Sequence, residues 1–408
     1  MKKNIRPKKI LILGAGIEQS IVIRLAKKLG YFVIAADANP HAIGLKYADK
    51  KVVVDIKDAK KLISIGKKYN IDGVMTHGVE VPVAVARVAQ ALGLPGLNPI
   101  VADRATDKFK RISCFQKKGI VCPRFEIART RKEALSKSGQ IGFPLVIKPV
   151  DNSGARGVKK INSFEELENG FAEARLYSSG PVLLEEFLEG DEISTESIIV
   201  HNKIFTTGFG DRNYSRQSEF QPYFVEDGHH VPSLLDENKK KEAITIVEKA
   251  IKALGINWGV AKGDVLVNKN GVYVLEMAAR TSGGWFAAGT VPFATGVNIL
   301  KPLLQMSVGD AVDENELSPT FQKAACQRYI IPTKDGEFVK LHGIERAKKM
   351  PGIKMFDVFN IPPRGAAMRR ATHNGERFAH CIAEGKNIRE ATMRCEKAIS
   401  KISIILKK

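Results

Sequence analysis

Two periods of apolar positions run along this chain, and the places where one gives way to the other divide it into segments. The run KKILILGAG reads as a buried strand entering a glycine turn, after which Ile17, Ile21 and Leu25 recur at helical spacing. YFVIAAD is a second strand ending at Asp37, VVVD and GVMTHG supply two more, and VAVARVAQAL another helix. Strands alternating with helices predict an open parallel sheet, with Gly14, Gly16 and His77 at strand ends, where ligands of such sheets bind. Past the linker-like LGLPGLNP the pattern changes to paired strands: FPLVIKP and GVKKI about a glycine loop, then two runs joined by the acidic segment 185–192. Ser163 with Glu166 three residues on predicts a capping box at the start of a helix. Beyond about residue 309 come mixed strands and a closing amphipathic helix.

The most telling pair of strands is GVAKGDVLVNKNGVYVLEMAARTSGG. A three-residue loop at Lys269-Asn270-Gly271 would pair Asn268 with Val272 and set Asp264 opposite Glu276, with Arg280 following on the face of Glu276. Two converging carboxylates repel unless a hard divalent cation lies between them, which leaves the arginine to hold an anion. The pattern suits magnesium plus phosphate; a surface hairpin with solvated charges is the other reading.

A second phosphate-type element lies upstream, where an apolar strand ends at Lys148 and runs into a loop carrying Ser153, Gly154 and Gly157. Glycines let backbone N–H groups fold around phosphate oxygens, and the lysine adds a point charge. Here the lysine precedes the glycines and a strand follows them, so the element reads as a hairpin flap over a nucleotide rather than a Walker A loop.

In the order of its parts the chain resembles the ATP-grasp superfamily of ligases. The resemblance rests on Lys108 in ATDKFKR, Lys148 in VIKP, EEFL from Glu185 through Glu186 and Phe187 to Leu188, Glu192 in GDEIS, Asp264 in GDVLV, Glu276 in LEMAAR, and Arg280. It implies that Lys108, Lys148 and the flap contact the phosphates of ATP and that the hinge 185–188 reads adenine through backbone groups. It further implies that Glu192 binds the ribose and that Asp264 and Glu276 hold Mg2+ or Mn2+. Ala278 departs from the pattern, since many members carry there an asparagine that helps bind a metal. The EMAAR…SGG form, and PYFVEDGHHVPS with His229 facing substrate, look like the L-amino acid ligase branch of carboxylate–amine ligases. Carbamoyl-phosphate synthase and purine-pathway members are also similar. A loop histidine exposed to water is the other reading of His229.

The expected architecture is α/β in three domains: an N-terminal half-Rossmann sheet (1–105), a bilobed α+β nucleotide-binding domain (106–309) and a small mixed C-terminal domain (310–408). The expected chemistry is activation of a carboxylate as an acyl phosphate, steadied by Arg280 and by N–H groups around 282–284, and its capture by an amine. The partners implied are small-molecule carboxylate and amine substrates, and a homodimer is common in the family. Arg328 and Arg377 could reach the site from the C-terminal domain, but surface salt bridging is the preferred reading of each. ATP-dependent carboxylation of bicarbonate and a nucleotide-binding regulator use the same machinery. A nicotinamide dehydrogenase with Asp37 on the ribose is disfavoured by Gln19, which replaces the third glycine of that fingerprint.

Composition narrows the field further. At 408 residues, with 44% hydrophobic and 26% charged positions, this is an ordinary globular chain. The excess of 64 basic over 44 acidic residues, a formal net charge of +20, is scattered in pairs such as Lys27-Lys28 and Lys67-Lys68. With no basic stripe interleaved with aromatics, nucleic acid is not an expected partner. No apolar run spans a bilayer, the basic start MKKNIRPKK does not read as a signal peptide, and five cysteines without CxxC spacing suit a reduced cytoplasmic protein.

Overall fold

A computed structural model describes residues 6–178 and 180–407. Its N-terminal unit is a parallel sheet in the order Lys50–Val53, Phe32–Asp37, Lys9–Leu13, Gly73–Thr76. The first helix, Gln19–Lys28, turns Val22, Ile23 and Ala26 to the core, so Ile21 and Leu25 flank the buried stripe and Ile17 precedes the helix. Asp37 accepts hydrogen bonds from the N–H groups of Ala15, at 2.7 Å, and Asn39, at 2.8 Å. It thus ties down the glycine turn, and the dehydrogenase reading loses its ribose ligand.

A four-stranded antiparallel sheet follows, in the order Phe125–Ala128, Val182–Glu186, Leu145–Pro149, Lys159–Ile161. The helix Phe164–Leu176 packs on it without the expected capping box: the Ser163 hydroxyl makes no cap bond, and Glu166 accepts from the Asn162 N–H at 2.9 Å.

The largest sheet has eight strands, all antiparallel, in the order Gly271–Ala278, Gly259–Asn268, Asp191–Val200, Lys203–Asn213, Gly228–Val231, Ala324–Ile330, Ala379–Gly385, Ile353–Val358. Strands from both sides of position 309 thus share one ladder. The helix Glu237–Leu254 covers its first strands with Ala243, Val247, Ala250, Ile251 and Leu254, an apolar stripe at helical spacing. Asp236 caps its start by accepting from the Lys239 N–H at 2.9 Å, and Gly255 ends it in the left-handed conformation. A core joining Ile10, Ile12 and Leu304 to Ile198, Val200 and Val260 binds the parallel sheet to the large one.

All five cysteines are free; Cys326, Cys381 and Cys395 are buried, Cys114 and Cys122 only partly. No helix among the described residues is long and apolar enough to cross a membrane.

Candidate active site

The small and large sheets face each other across a cavity of about 670 Å3. The metal-type hairpin lies on its floor, and its register arises differently from expectation. Asn268 pairs with Gly271, so the turn has two residues, and the Asn270 N–H is held by the Asn268 side chain at 2.9 Å. That turn alone would slide Asp264 to Leu275. A bulge between Asp264 and Val265 takes Leu275 out of the ladder and restores Asp264 opposite Glu276.

The two carboxylates are not solvated surface groups. Asp264 is 3% exposed; its Oδ1 accepts from the Ser194 hydroxyl at 2.9 Å and its Oδ2 from Arg212 at 2.8 Å. Lys262 adds its ammonium to Asp264 and, at 3.2 Å, to Glu276. Burial pulls the Glu276 carboxyl upward, but Lys262, Arg111, Lys108 and Arg280 together hold it well below the usual carboxylate range. Arg212 also reaches Glu226 at 2.9 Å and Glu192 at 3.6 Å. Burial raises the Glu192 carboxyl, against that guanidinium.

On the opposite wall Lys148 pairs with Glu185 of the next strand, and Lys108, the first residue of the helix Lys108–Lys117, donates to the Asn152 carbonyl. Burial lowers the Lys108 ammonium to about 8. The flap after Lys148 turns through Gly154, Ala155 and Gly157, all at positive φ. Ser153 and Gly154 line the cavity, whereas Gly157 stands behind it. A Cβ on Gly157 would come within 2.9 Å of the Tyr177 ring, so only glycine fits that turn. The Asn374 N–H bonds the Gly154 carbonyl at 3.1 Å, so a loop of the C-terminal segment holds the flap down. The hinge residues Glu185, Glu186, Phe187 and Leu188 line the same cavity, as do the apolar Val146, Leu266 and Leu275. The N–H groups of Glu186 and Phe187 are given to the carbonyls of Arg124, at 2.9 Å, and Pro144, at 3.4 Å.

Arg280, just past the strand, lines the cavity with its Nε on Glu80 at 2.7 Å. His229 is buried on the strand Gly228–Val231 and lines the cavity, which overturns the exposed-loop reading. Its Nε2 meets the Thr290 hydroxyl at 2.7 Å, its Nδ1 lies 3.5 Å from Glu226, and burial lowers its pKa. Arg377 is likewise no surface group: it lies 3.9 Å over the Tyr329 ring and donates to the Glu226 carbonyl at 2.7 Å. Arg328 is buried outside the cavity, with Glu396 at 3.5 Å.

One expectation fails at Ser282 and Gly284. Their N–H groups do not stand open to a developing negative charge. The Ser282 N–H is taken by Glu196 at 2.9 Å, and those of Gly284 and Trp285 by Glu18 at 3.1 and 2.9 Å. Burial pushes both carboxyls up to about 7.

Sequence reasoning missed Lys262, Arg111, Arg212, Glu226, Glu18 and Glu80. Lys262 carried a local signal, two residues before Asp264 on the same strand face, and Glu226 lay inside the quoted PYFVEDGHHVPS run.

The residues present fit a magnesium–nucleotide complex. No three His, Cys, Asp or Glu side chains gather as a metal cage among the described residues. Two carboxylates at one rung, ringed by lysine and arginine, are nevertheless a usual protein share of a Mg2+ site whose other ligands are phosphates and water.

The sequence matches three family models: an ATP-grasp domain over residues 105–284, the L-amino acid ligase C-terminal domain 2 over 328–407, and a PylC-like N-terminal domain over 10–78. The fold is that of the L-amino acid ligase from Bacillus licheniformis, with a TM-score of 0.83 at 24% identity, covering 99% of this chain and 100% of that one. The alanine–anticapsin ligase of Bacillus subtilis is 24% identical over 74% of this chain and 67% of its own length. The carbamoyl phosphate synthase large chain of Vibrio cholerae is 27% identical over 75% of this chain, which spans 29% of that larger protein. With the cavity, the fold and these matches in hand, the chain carries an ATP-grasp domain over residues 105–284.

Proposed function

We propose that this protein is an ADP-forming carboxylate–amine ligase. With ATP and Mg2+ bound, a carboxylate oxygen would take the γ-phosphoryl group as ADP leaves, and an amine would then attack the acyl carbon, forming the amide as phosphate and a proton depart. The observation that carries the reading is the pairing of Asp264 with Glu276 at one rung of the ladder, facing Lys108, Lys148 and the flap across the cavity.

In this reading Asp264 and Glu276 hold the metal, while Lys108, Lys148, Ser153 and Gly154 hold phosphate oxygens. Adenine lies against Val146, Leu266 and Leu275. The neighbouring hinge N–H groups being committed, the base falls to that of Leu188, and Glu192 takes the ribose. Arg280 steadies the carboxylate and its activated form, with Glu80 fixing the guanidinium. His229 stays neutral and acts as a positioning residue, aligning Glu226 in the remaining part of the cavity, beside Arg377 and Tyr329. The flap, latched through Asn374, keeps water from the activated carboxyl. The charge-stabilising role expected of the Ser282–Gly284 amides passes to Arg280, because carboxylates already occupy those of Ser282 and Gly284.

The amine as acceptor is supported by the match of residues 328–407 to the L-amino acid ligase C-terminal domain. The test is phosphate release from MgATP by the purified protein against amino acids singly and in pairs, with bicarbonate as a separate arm. Release that requires a carboxylate and an amine together is expected. Release with bicarbonate and no amine would replace this reading with a carboxylase.

A further inference from the structure

Lys262 has no part in the expected machinery, yet it sits where a cation is wanted. In the ladder Lys262 pairs with Ala278 two rungs beyond the Asp264–Glu276 pair, with Gly263–Met277 between them, so strand alternation puts the four residues on one face of the hairpin, and Lys262, Asp264 and Glu276 line the cavity. The ammonium spans both carboxylates, and its side chain is only 12% exposed. The methyl group of Ala278 offers no ligand atom and leaves the space across the ladder to the lysine stem.

The carboxylate oxygens are also unequally committed. Asp264 is filled, by Ser194 on Oδ1 and by Arg212 and Lys262 on Oδ2. Glu276 has the Lys262 contact at 3.2 Å on Oε2 and only the longer Arg111 contact, 3.9 Å, on Oε1. A first divalent metal therefore finds its readier ligand in Glu276 and completes the pair by exchanging one of the partners on Asp264. A second would have to displace a buried ammonium and a guanidinium from Asp264, or lie beside them as a like charge.

We propose that Lys262 serves as a built-in second cation, so that the nucleotide complex of this protein takes up one divalent metal ion and not two. This rests on the nucleotide reading of the cavity. It assigns to Ala278 a role as well: the small side chain makes room for the lysine.

The test is Mn2+ stoichiometry, read from the electron paramagnetic resonance of free Mn2+ in titrations of the full chain with β,γ-imido-ATP present. One Mn2+ per chain is expected for the wild type, and two for the double variant Lys262→Met with Ala278→Asn. Two Mn2+ on the wild type would overturn the inference while leaving the nucleotide reading intact. So would a variant still limited to one Mn2+ whose circular dichroism and melting match the wild type. Failure of the wild type to bind either Mn2+ or the analogue would remove the nucleotide reading, and this inference with it.

Discussion

The hairpin 259–278 and the loop 281–285 that follows it solve opposite electrostatic problems a few residues apart. The hairpin gathers carboxylates and neutralises them with Lys262, Arg212 and Arg111. The loop gathers backbone N–H dipoles and neutralises them with the carboxylates of Glu18 and Glu196. The difference lies in what each side can exchange. Lysine and arginine hold charge on long flexible stems and can trade one anion for another as a ligand arrives. Glu18 and Glu196 are buried on other elements, and Thr281 is fixed at 2.8 Å by His77, so the loop works as a clamp between the N-terminal unit and the large sheet. One segment is arranged for exchange of partners and its neighbour for cohesion.

The comparison breaks first at Glu276. Glu276→Ala is expected to lower MgATP-dependent phosphate release at least ~100-fold, the usual scale for losing a preorganised electrostatic contact to the reacting phosphoryl group. Retained release would show that the hairpin is as structural as the loop. Glu196→Ala strikes the other side: it leaves the buried Ser282 N–H without its acceptor, and a loss of about 1–3 kcal/mol is expected in denaturant unfolding.

A pH titration sharpens the same contrast. Burial raises the carboxyls of Glu18 and Glu196 from 4.5 to about 7, so between those values the folded chain keeps protons that the unfolded chain releases. Their contribution is fully present below 4.5 and is lost as pH rises through 7. The melting temperature should therefore fall between pH 5 and 8, and the fall should flatten in Glu18→Gln with Glu196→Gln; an equal slope in that variant would remove the clamp from the account. The smallest effect is expected at the hairpin turn, where Lys269→Ala should change stability by less than about 0.5 kcal/mol. A larger loss would mean that the turn, and not the bulge at Asp264, fixes the register.

What could be read from the sequence follows the same division. Asp264, Glu276 and Arg280 lie within seventeen positions of one another along an alternating pattern, and strand periodicity was enough to bring them together. The bulge was not legible, because nothing about Leu275 marks it for exclusion from the ladder; the expected pairing survived a wrong turn length only because the bulge offsets the shorter turn. Lys148 and the flap were legible for the same local reason. The clamp was not: Glu18 reaches Gly284 across 266 positions and Glu196 reaches Ser282 across 86, and no period connects such partners. Arg377 was read as a surface charge because its burial is created by Tyr329 and Glu226, each contributed by a distant strand or loop.

The shared ladder has a consequence for how the molecule can be made. The strand Gly228–Val231 lies between Lys203–Asn213 and Ala324–Ile330, and the latter is itself completed by Ala379–Gly385. A chain emerging from the ribosome therefore cannot close this ladder until Ala324–Ile330 has been synthesised, and until then one edge of the strand bearing His229 stays unpaired. A fragment ending at Gly309 would carry that raw edge permanently. It should self-associate rather than behave as a portable nucleotide module, which makes the whole chain the smallest unit worth expressing.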